Sequence, residues 1–158
     1  MSTFCVRLVL SELRKYLAAK AFPTEGWDEA SLAAAQRLAE APEQMFPTDP
    51  TETSACLGGM AACNASGARS FRYGAMRGHV TALRLVLANG DVVALRRDEV
   101  RARGRHLKLK TEGGSTIETD LPTYQMPHAK NASGYFVEDD MDALDLIIGS
   151  DGTPGIIT

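Results

Sequence analysis

The feature that most constrains this chain is a stretch of small residues between positions 47 and 74. Gly, Ala, Ser and Thr dominate it, and large apolar side chains are scarce. Such a stretch cannot form an apolar core alone, but its main chain can approach another group closely, because Gly58 and Gly59 carry no Cβ. Exposed amides in such a loop suit a phosphate or another polar ligand. A flexible linker has a similar composition, but the interleaved Phe71 and Tyr73 favour an ordered loop.

Composition places the chain among globular proteins. Its 158 residues are enough for one domain, with 23% charged and 44% hydrophobic residues. The net charge of −3 gives no general attraction to nucleic acid or an anionic membrane. The longest apolar runs, Val6–Leu10 and Leu144–Ile148, are too short to cross a bilayer, and the start lacks a secretory signal. We therefore expect no membrane span, no nucleic-acid partner and a cytoplasmic location.

Cysteine and histidine patterns argue against a metal centre. The cysteines are Cys5, Cys56 and Cys63, and the histidines are His79, His106 and His128. No Cys-x-x-Cys pair is present, and an odd count does not suit a disulfide framework. No histidine has another ligand type at helical spacing. We expect no metal, and thiols that stay reduced.

Two helices are predicted in the first third of the chain. Leucines recur at helical spacing over residues 10–17, with Ser11 as the predicted N-cap. Residues 28–41 predict a second helix, capped by Asp28 and closed by Pro42.

Two hairpins follow. Val80–Ala88 and Val92–Arg97 are strand-like runs joined by Asn89-Gly90, a sequence that favours a tight turn with positive φ at both positions. His106–Lys110 and Ser115–Thr119 predict a second hairpin. The sequence thus predicts an α+β fold in which an antiparallel sheet, built on the two hairpins, has flanking helices.

Three further elements complete the prediction. Residues 59–65 favour one or two helical turns. Asp140–Ile148 has apolar residues at helical spacing and acids in its first turn. The final Gly-Ile-Ile-Thr, residues 155–158, predicts the start of a strand.

Three ordered blocks carry a family resemblance. They are Pro47, Asp49-Pro50, Gly58-Gly59, Asn64-Ala65-Ser66-Gly67 and Tyr73-Gly74; then Lys130-Asn131-Ala132-Ser133-Gly134-Tyr135; then Gly149-Ser150-Asp151-Gly152-Thr153-Pro154-Gly155-Ile156-Ile157-Thr158. In this order they resemble the flavin-binding domain of the vanillyl-alcohol oxidase / p-cresol methylhydroxylase (PCMH-type) family. Within it, the chain is most similar to the glycolate oxidase FAD subunit and to D-lactate and D-2-hydroxyglutarate dehydrogenases. Three blocks are far more specific than a lone glycine motif.

The resemblance implies FAD as cofactor and a set of residues that bind it. Carried over by position, that set is Pro50, Cys56, Leu57, Gly58, Gly59, Cys63, Asn64, Ala65, Ser66, Asp151, Gly152, Gly155, Ile156 and Ile157. The first five would run along the flavin and pyrophosphate, the next four would contact the ribityl and diphosphate, and the last five would hold the adenosine. The sequence assigns no catalytic residue.

The sequence also departs from the family pattern. Asp151 stands where the family has Glu, and Pro154 where it has Leu. Within residues 1–158 we find no counterpart of the family's first nucleotide loop, of the Arg-Gly-x-Gly-Thr type, or of its C-terminal cap domain. We therefore expect residues 1–158 to be a partial FAD-binding domain that holds FAD weakly or not at all by itself.

The expected function is FAD binding within an FAD-linked oxidoreductase of a 2-hydroxy acid such as glycolate, D-lactate or 2-hydroxyglutarate. Substrate would bind only if the missing domain is supplied. One alternative is a non-catalytic fragment, or a subunit that completes a flavin site with a partner chain. Another is a UDP-N-acetylmuramate dehydrogenase, which shares this flavin domain.

Overall fold

The computed structural model describes residues 8–132 and 134–158. Cys5, the start of the Val6–Leu10 run and Ser133 of the second block lie outside the described residues. The helices are α1 (Leu10–Ala19), α2 (Glu29–Glu40), α3 (Leu57–Ala62), α4 (Ser70–Tyr73) and α5 (Ala143–Ile147), with a 3₁₀ turn at Met76–His79. The strands are β1 (Ala82–Leu87), β2 (Val92–Arg96), β3 (His106–Lys110), β4 (Thr116–Asp120) and β5 (Gly155–Ile157).

The strands form two antiparallel sheets. The order is β2-β1-β5 in the first sheet, and β3 pairs with β4 in the second. The predicted α+β class is confirmed, with the difference that the two hairpins lie in separate sheets. The C-terminal strand is also confirmed: Leu85 is opposite Ile157 across the β1–β5 pair.

The β1–β2 turn differs from the predicted one. Gly90 has φ +86°, whereas Asn89 is not in the left-handed region. The amide of Gly90 donates to the Leu87 carbonyl at 2.9 Å, and the Leu87 amide donates to the Asp91 carbonyl at 2.8 Å. This is a three-residue loop with a left-handed glycine at its end, so only one position needs positive φ.

One apolar core joins both sheets to α5. Leu85 and Val93 enter it from the first sheet, Leu107 from β3, and Leu144 and Ile148 from α5 and the residue after it. Each of the five is at most 1% exposed. Alternate residues of β1 and β3, namely Leu83 and Leu85, and Leu107 and Leu109, therefore face this core.

The start of α1 is capped by main chain. The amide of Leu10 donates to the Ala55 carbonyl at 3.0 Å, and the amide of Ser11 donates to the Thr53 carbonyl at 3.0 Å. The N-cap residue is Val9, which makes no side-chain cap bond. The predicted Ser11 cap is wrong, because another segment already satisfies the amides that a cap would bind.

The predicted cap of α2 is confirmed. The Asp28 carboxylate accepts a hydrogen bond from the Ser31 amide at 2.7 Å. The helix ends at Glu40, and Pro42 follows two residues later.

Two glycines are required by close packing of main chain on main chain. A Cβ on Gly155 would lie 2.3 Å from the Val86 carbonyl oxygen, and a Cβ on Gly67 would lie 2.1 Å from the Asp49 carbonyl oxygen. Gly67 and Gly155 are therefore small because the chain itself occupies the space beside them.

Truncation of a core leucine should destabilise the whole fold. Leu107→Ala removes a fully buried side chain, and we expect the free energy of unfolding in urea to fall by about 2–5 kcal/mol. Leu38→Ala is the matched control, because Leu38 is 38% exposed. An equal loss in the two variants would contradict the assignment of the core.

The β1–β5 pairing should fail when Gly155 gains a side chain. Gly155→Ala places a methyl group against the Val86 carbonyl, and we expect a loss of about 1–3 kcal/mol in urea unfolding. Gly78→Ala, at a glycine with open space around it, should leave stability within about 1 kcal/mol of the original. A Gly155→Ala variant as stable as Gly78→Ala would refute the close approach.

Candidate functional site

The first and third blocks meet at the C-terminal end of α3. The Gly149 amide donates to the Ala61 carbonyl at 3.1 Å, and the Asp151 amide donates to the Ala62 carbonyl at 2.9 Å. The last carbonyls of a helix have no partner within the helix, so an outside segment that supplies amides is held firmly there. The turn that begins at Gly149 thus closes the end of α3.

The second block contacts both of the others. The Lys130 ammonium donates to the Ser66 hydroxyl at 3.1 Å. The Tyr135 hydroxyl is hydrogen bonded to the Thr153 hydroxyl. All three blocks named in the sequence analysis therefore lie in one region.

A narrow cleft lies where the blocks converge. Its volume is about 30 Å³, which is room for a water molecule or two. It is lined by Asn64, Arg77, Met126, Asn131, Ala132, Gly134, Phe136 and Gly149. The cleft is too small to enclose a nucleotide, so a ligand of that size would lie across the open surface beside it.

The turns around the cleft are mostly left-handed. Asn64 has φ +47°, Gly149 +87°, Asp151 +54° and Gly152 +76°. Aspartate and asparagine tolerate this region better than most side chains. The Asp151 that replaces the family's Glu thus suits its turn.

The surface near these turns fits an extended polar cofactor such as FAD. A Cβ on Gly59 would have no atom within 4 Å, so its main chain is bare. Asp151 and Gly152 are exposed. Ser150 is only 6% exposed, yet within the described ranges its hydroxyl has no hydrogen-bond partner. Ser150 lies in the turn that closes α3, the helix that holds Gly59, and an uncovered glycine together with an unpaired hydroxyl is compatible with a polar ligand.

The predicted binding residues divide into two groups: those near the turn that begins at Gly149 or the second block, and those in or beside α3. Cys63 lies near the Asp151 carboxylate, Asn64 lies beside Gly149, and Ser66 accepts a hydrogen bond from Lys130 of the second block. Pro50 is buried beside Gly67, and Cys56 and Leu57 begin α3. Gly58 and Gly59 lie within α3, and Ala65 is held between the Met60 carbonyl and the Met76 amide.

The last two predicted residues differ in exposure. Helix α3 packs on β5, so Ile156 and Ile157 lie near the first block. Ile157 is 9% exposed and its side chain joins the core, whereas Ile156 is 67% exposed. Because its side chain is in the core, Ile157 can face a ligand only with its main chain.

Cys63 does not have the properties of a nucleophile. Burial raises the pKa of its thiol, and the nearby Asp151 carboxylate raises it further. The thiol is therefore protonated at neutral pH, although Cys63 is exposed.

Sequence reasoning missed Arg77. Its main-chain amide donates to the Asn64 side-chain oxygen at 2.9 Å, and its guanidinium donates to the Ile148 carbonyl at 2.5 Å. Burial lowers the pKa of Arg77, and the carboxylate of Asp145 opposes that shift. Arginine stays charged under such conditions. Its place just after Tyr73-Gly74 was the only signal in the sequence.

Two further kinds of site receive no support from the part of the chain that the structure describes. There, no group of three or more His, Cys, Asp or Glu side chains is arranged to hold a metal ion. None of the helices there has the length and apolar character that crossing a membrane requires.

Comparison with known proteins places the chain among FAD-binding domains. A D-lactate dehydrogenase of Archaeoglobus fulgidus is 34% identical over 113 residues, which make up 72% of this chain and 18% of that protein. The mitochondrial D-lactate dehydrogenase (cytochrome) of Arabidopsis thaliana is 38% identical over 113 residues, 72% of this chain and 14% of that protein. The mitochondrial D-2-hydroxyglutarate dehydrogenase of Arabidopsis thaliana is 32% identical over 98 residues, 59% of this chain and 18% of that protein.

This chain thus spans less than a fifth of the length of each of these three relatives. The FAD binding domain family matches residues 10–96, which are more than half of the chain. That range holds the whole first block and the β1–β2 hairpin. The resemblance read from the motifs is confirmed: this chain belongs to the FAD binding domain family, and its cofactor is FAD.

Proposed function

We propose that this chain forms one wall of the FAD site of an oxidoreductase that oxidises a 2-hydroxy acid such as glycolate, D-lactate or 2-hydroxyglutarate. The observation that carries the proposal is the meeting of the three blocks at the end of α3, where Gly149 and Asp151 close the helix. The names of the relatives, D-lactate and D-2-hydroxyglutarate dehydrogenases, support the substrate class.

The proposed contacts follow the order of the chain. The flavin and pyrophosphate would lie along Pro50 and the start of α3, and the ribityl chain and diphosphate along residues 63–66. The adenosine would lie against residues 151–152 and 155–157. The bare main chain at Gly59 supports the first contact, and the left-handed turn at Asp151 supports the last.

The cofactor supplies the redox chemistry: when bound, FAD accepts the hydride that leaves C2 of the hydroxy acid. This chain's own residues bind the cofactor and orient it. We assign no residue of the chain as the base that takes the hydroxyl proton. Because the cleft beside the blocks is small and the surface open, we infer that another segment or chain supplies the opposite wall.

Gly59→Ala should separate FAD affinity from stability. Gly59 lies inside α3 with open space around it, so alanine should stabilise the helix by about 0.5–1 kcal/mol. The same methyl group would stand where the cofactor approaches the main chain, and we expect FAD affinity to fall at least tenfold. The measurements are flavin fluorescence titration and urea unfolding, made on the polypeptide of the complete reading frame.

Gly78→Ala is the matched control for that change. Gly78 also has open space around it, but it is outside the proposed contacts. Its FAD affinity should be unchanged. Equal affinities in the Gly59→Ala and Gly78→Ala variants would contradict the proposed path of the cofactor.

The substrate class is tested by steady-state assay of the FAD-loaded protein. We expect an artificial electron acceptor to be reduced with glycolate, D-lactate or D-2-hydroxyglutarate, and not with propionate, which lacks the 2-hydroxyl group. Activity with none of the three hydroxy acids, together with NADPH-dependent reduction of a UDP-sugar enolpyruvyl ether, would favour the UDP-N-acetylmuramate dehydrogenase alternative instead.

A further inference from the structure

We propose that Arg77 is the positioning residue that sets the distance between the first and third blocks. It thereby sets the shape of the cofactor groove, which is the narrow cleft between the blocks together with the open surface beside it. The expected effect on FAD binding rests on the proposed function. The expected effect on the position of the two blocks rests only on the contacts of Arg77. Arg77 lies in the 3₁₀ turn Met76–His79, outside both blocks.

One residue reaches both sides of the groove. The Arg77 amide donates to the side-chain oxygen of Asn64, a left-handed residue just beyond α3. The other end of Arg77 donates through Nη2 to the Ile148 carbonyl at 2.5 Å, immediately before the turn that closes α3. Arg77 and Ile148 are 71 positions apart in sequence. Main-chain and side-chain atoms of the same residue thus fix two distant segments.

Position 149 leaves little room for a side chain next to Arg77 and Asn64. A Cβ there would lie 3.1 Å from Arg77 Nη2 and 3.1 Å from the Asn64 Cβ. Gly149 also has φ +87°, which disfavours any side chain. Arg77, Asn64 and Gly149 therefore pack closely against one another.

The guanidinium is held on its other sides as well. Its central carbon lies 4.5 Å from the centre of the Phe136 ring, within the range of a cation–π contact. Nη1 donates to the Asp145 carbonyl and lies 3.6 Å from the Asp145 carboxylate. A planar fork with several donors satisfies these acceptors together, whereas the single ammonium group of lysine does not have that geometry.

Arg97 provides a matched control. Its Nη1 lies 2.8 Å from the same Asp145 carboxylate, and its Nη2 donates to the Arg77 and Val80 carbonyls at 3.0 and 3.2 Å. Among the described residues it makes no hydrogen bond to Asn64 or Ile148. Arg97→Lys therefore disturbs the same ion pair without cutting the link between the blocks.

The structural part is tested by amide hydrogen exchange on this chain without FAD. In Arg77→Lys we expect the amides of Gly149 and Asp151 to exchange at least tenfold faster than in Arg97→Lys, after correction for global stability. Amides of the β1–β2 hairpin should be alike in the two variants. Equal exchange at Gly149 and Asp151 would overturn the proposal.

The functional part is tested by FAD titration of the complete polypeptide. We expect at least a tenfold loss of FAD affinity in Arg77→Lys relative to Arg97→Lys, with a change in the visible circular dichroism of the bound flavin. If exchange differs but affinity and spectrum do not, Arg77 holds the fold and not the cofactor groove, and the proposal fails. If the unaltered protein binds no FAD, the proposed function fails while the exchange result stands.

A second variant keeps the test decisive should Arg77→Lys not fold. Phe136→Leu removes the ring beneath the guanidinium and leaves the Asp145 ion pair in place. We expect it to shift exchange and affinity in the same direction by a smaller factor. No shift in either measurement would also overturn the proposal.

Discussion

The pair of hydrogen bonds from Gly149 and Asp151 to the end of α3 is the contact on which the rest of the site depends. Helix α3 has only six residues, too few to be stable alone in water. Of its six residues only Met60 and Ala61 are buried. The helix therefore owes its place to partners at both ends: the Leu8 carbonyl accepts from the Leu57 amide at its start, and the third block closes its end.

Small residues have two different uses in this chain. Gly67 and Gly155 are small because carbonyl oxygens of neighbouring segments already fill the space where a Cβ would lie. Gly59 is small and has nothing beside it. The first use compacts the domain, and the second leaves main chain uncovered for a ligand. A glycine-rich sequence alone does not distinguish the two, since both depend on what is nearby in three dimensions.

Local patterns were enough to predict most of the elements. Asn89-Gly90 marked the first hairpin, and Asp28 marked the start of α2, because these signals act over a few residues. The Ser11 cap was predicted wrongly, since the amides it would serve are bonded by a distant segment. Arg77 escaped notice for the same reason: its partners come together only once the chain is folded. The three motif blocks located the candidate site through their resemblance to a known family, not through a local structural pattern.

The ion pairs at Asp145 give this arrangement a further property. Two arginines share one carboxylate that is 16% exposed, and Arg77 alone extends from it to the groove. The Arg77 side chain is 19% exposed and is held by Asp145 and the Ile148 carbonyl, so it is largely desolvated and oriented before any ligand arrives. Under the proposed function, the Arg77 side chain is already ordered by these contacts, so that cofactor binding costs the protein less conformational entropy than ordering a mobile loop would.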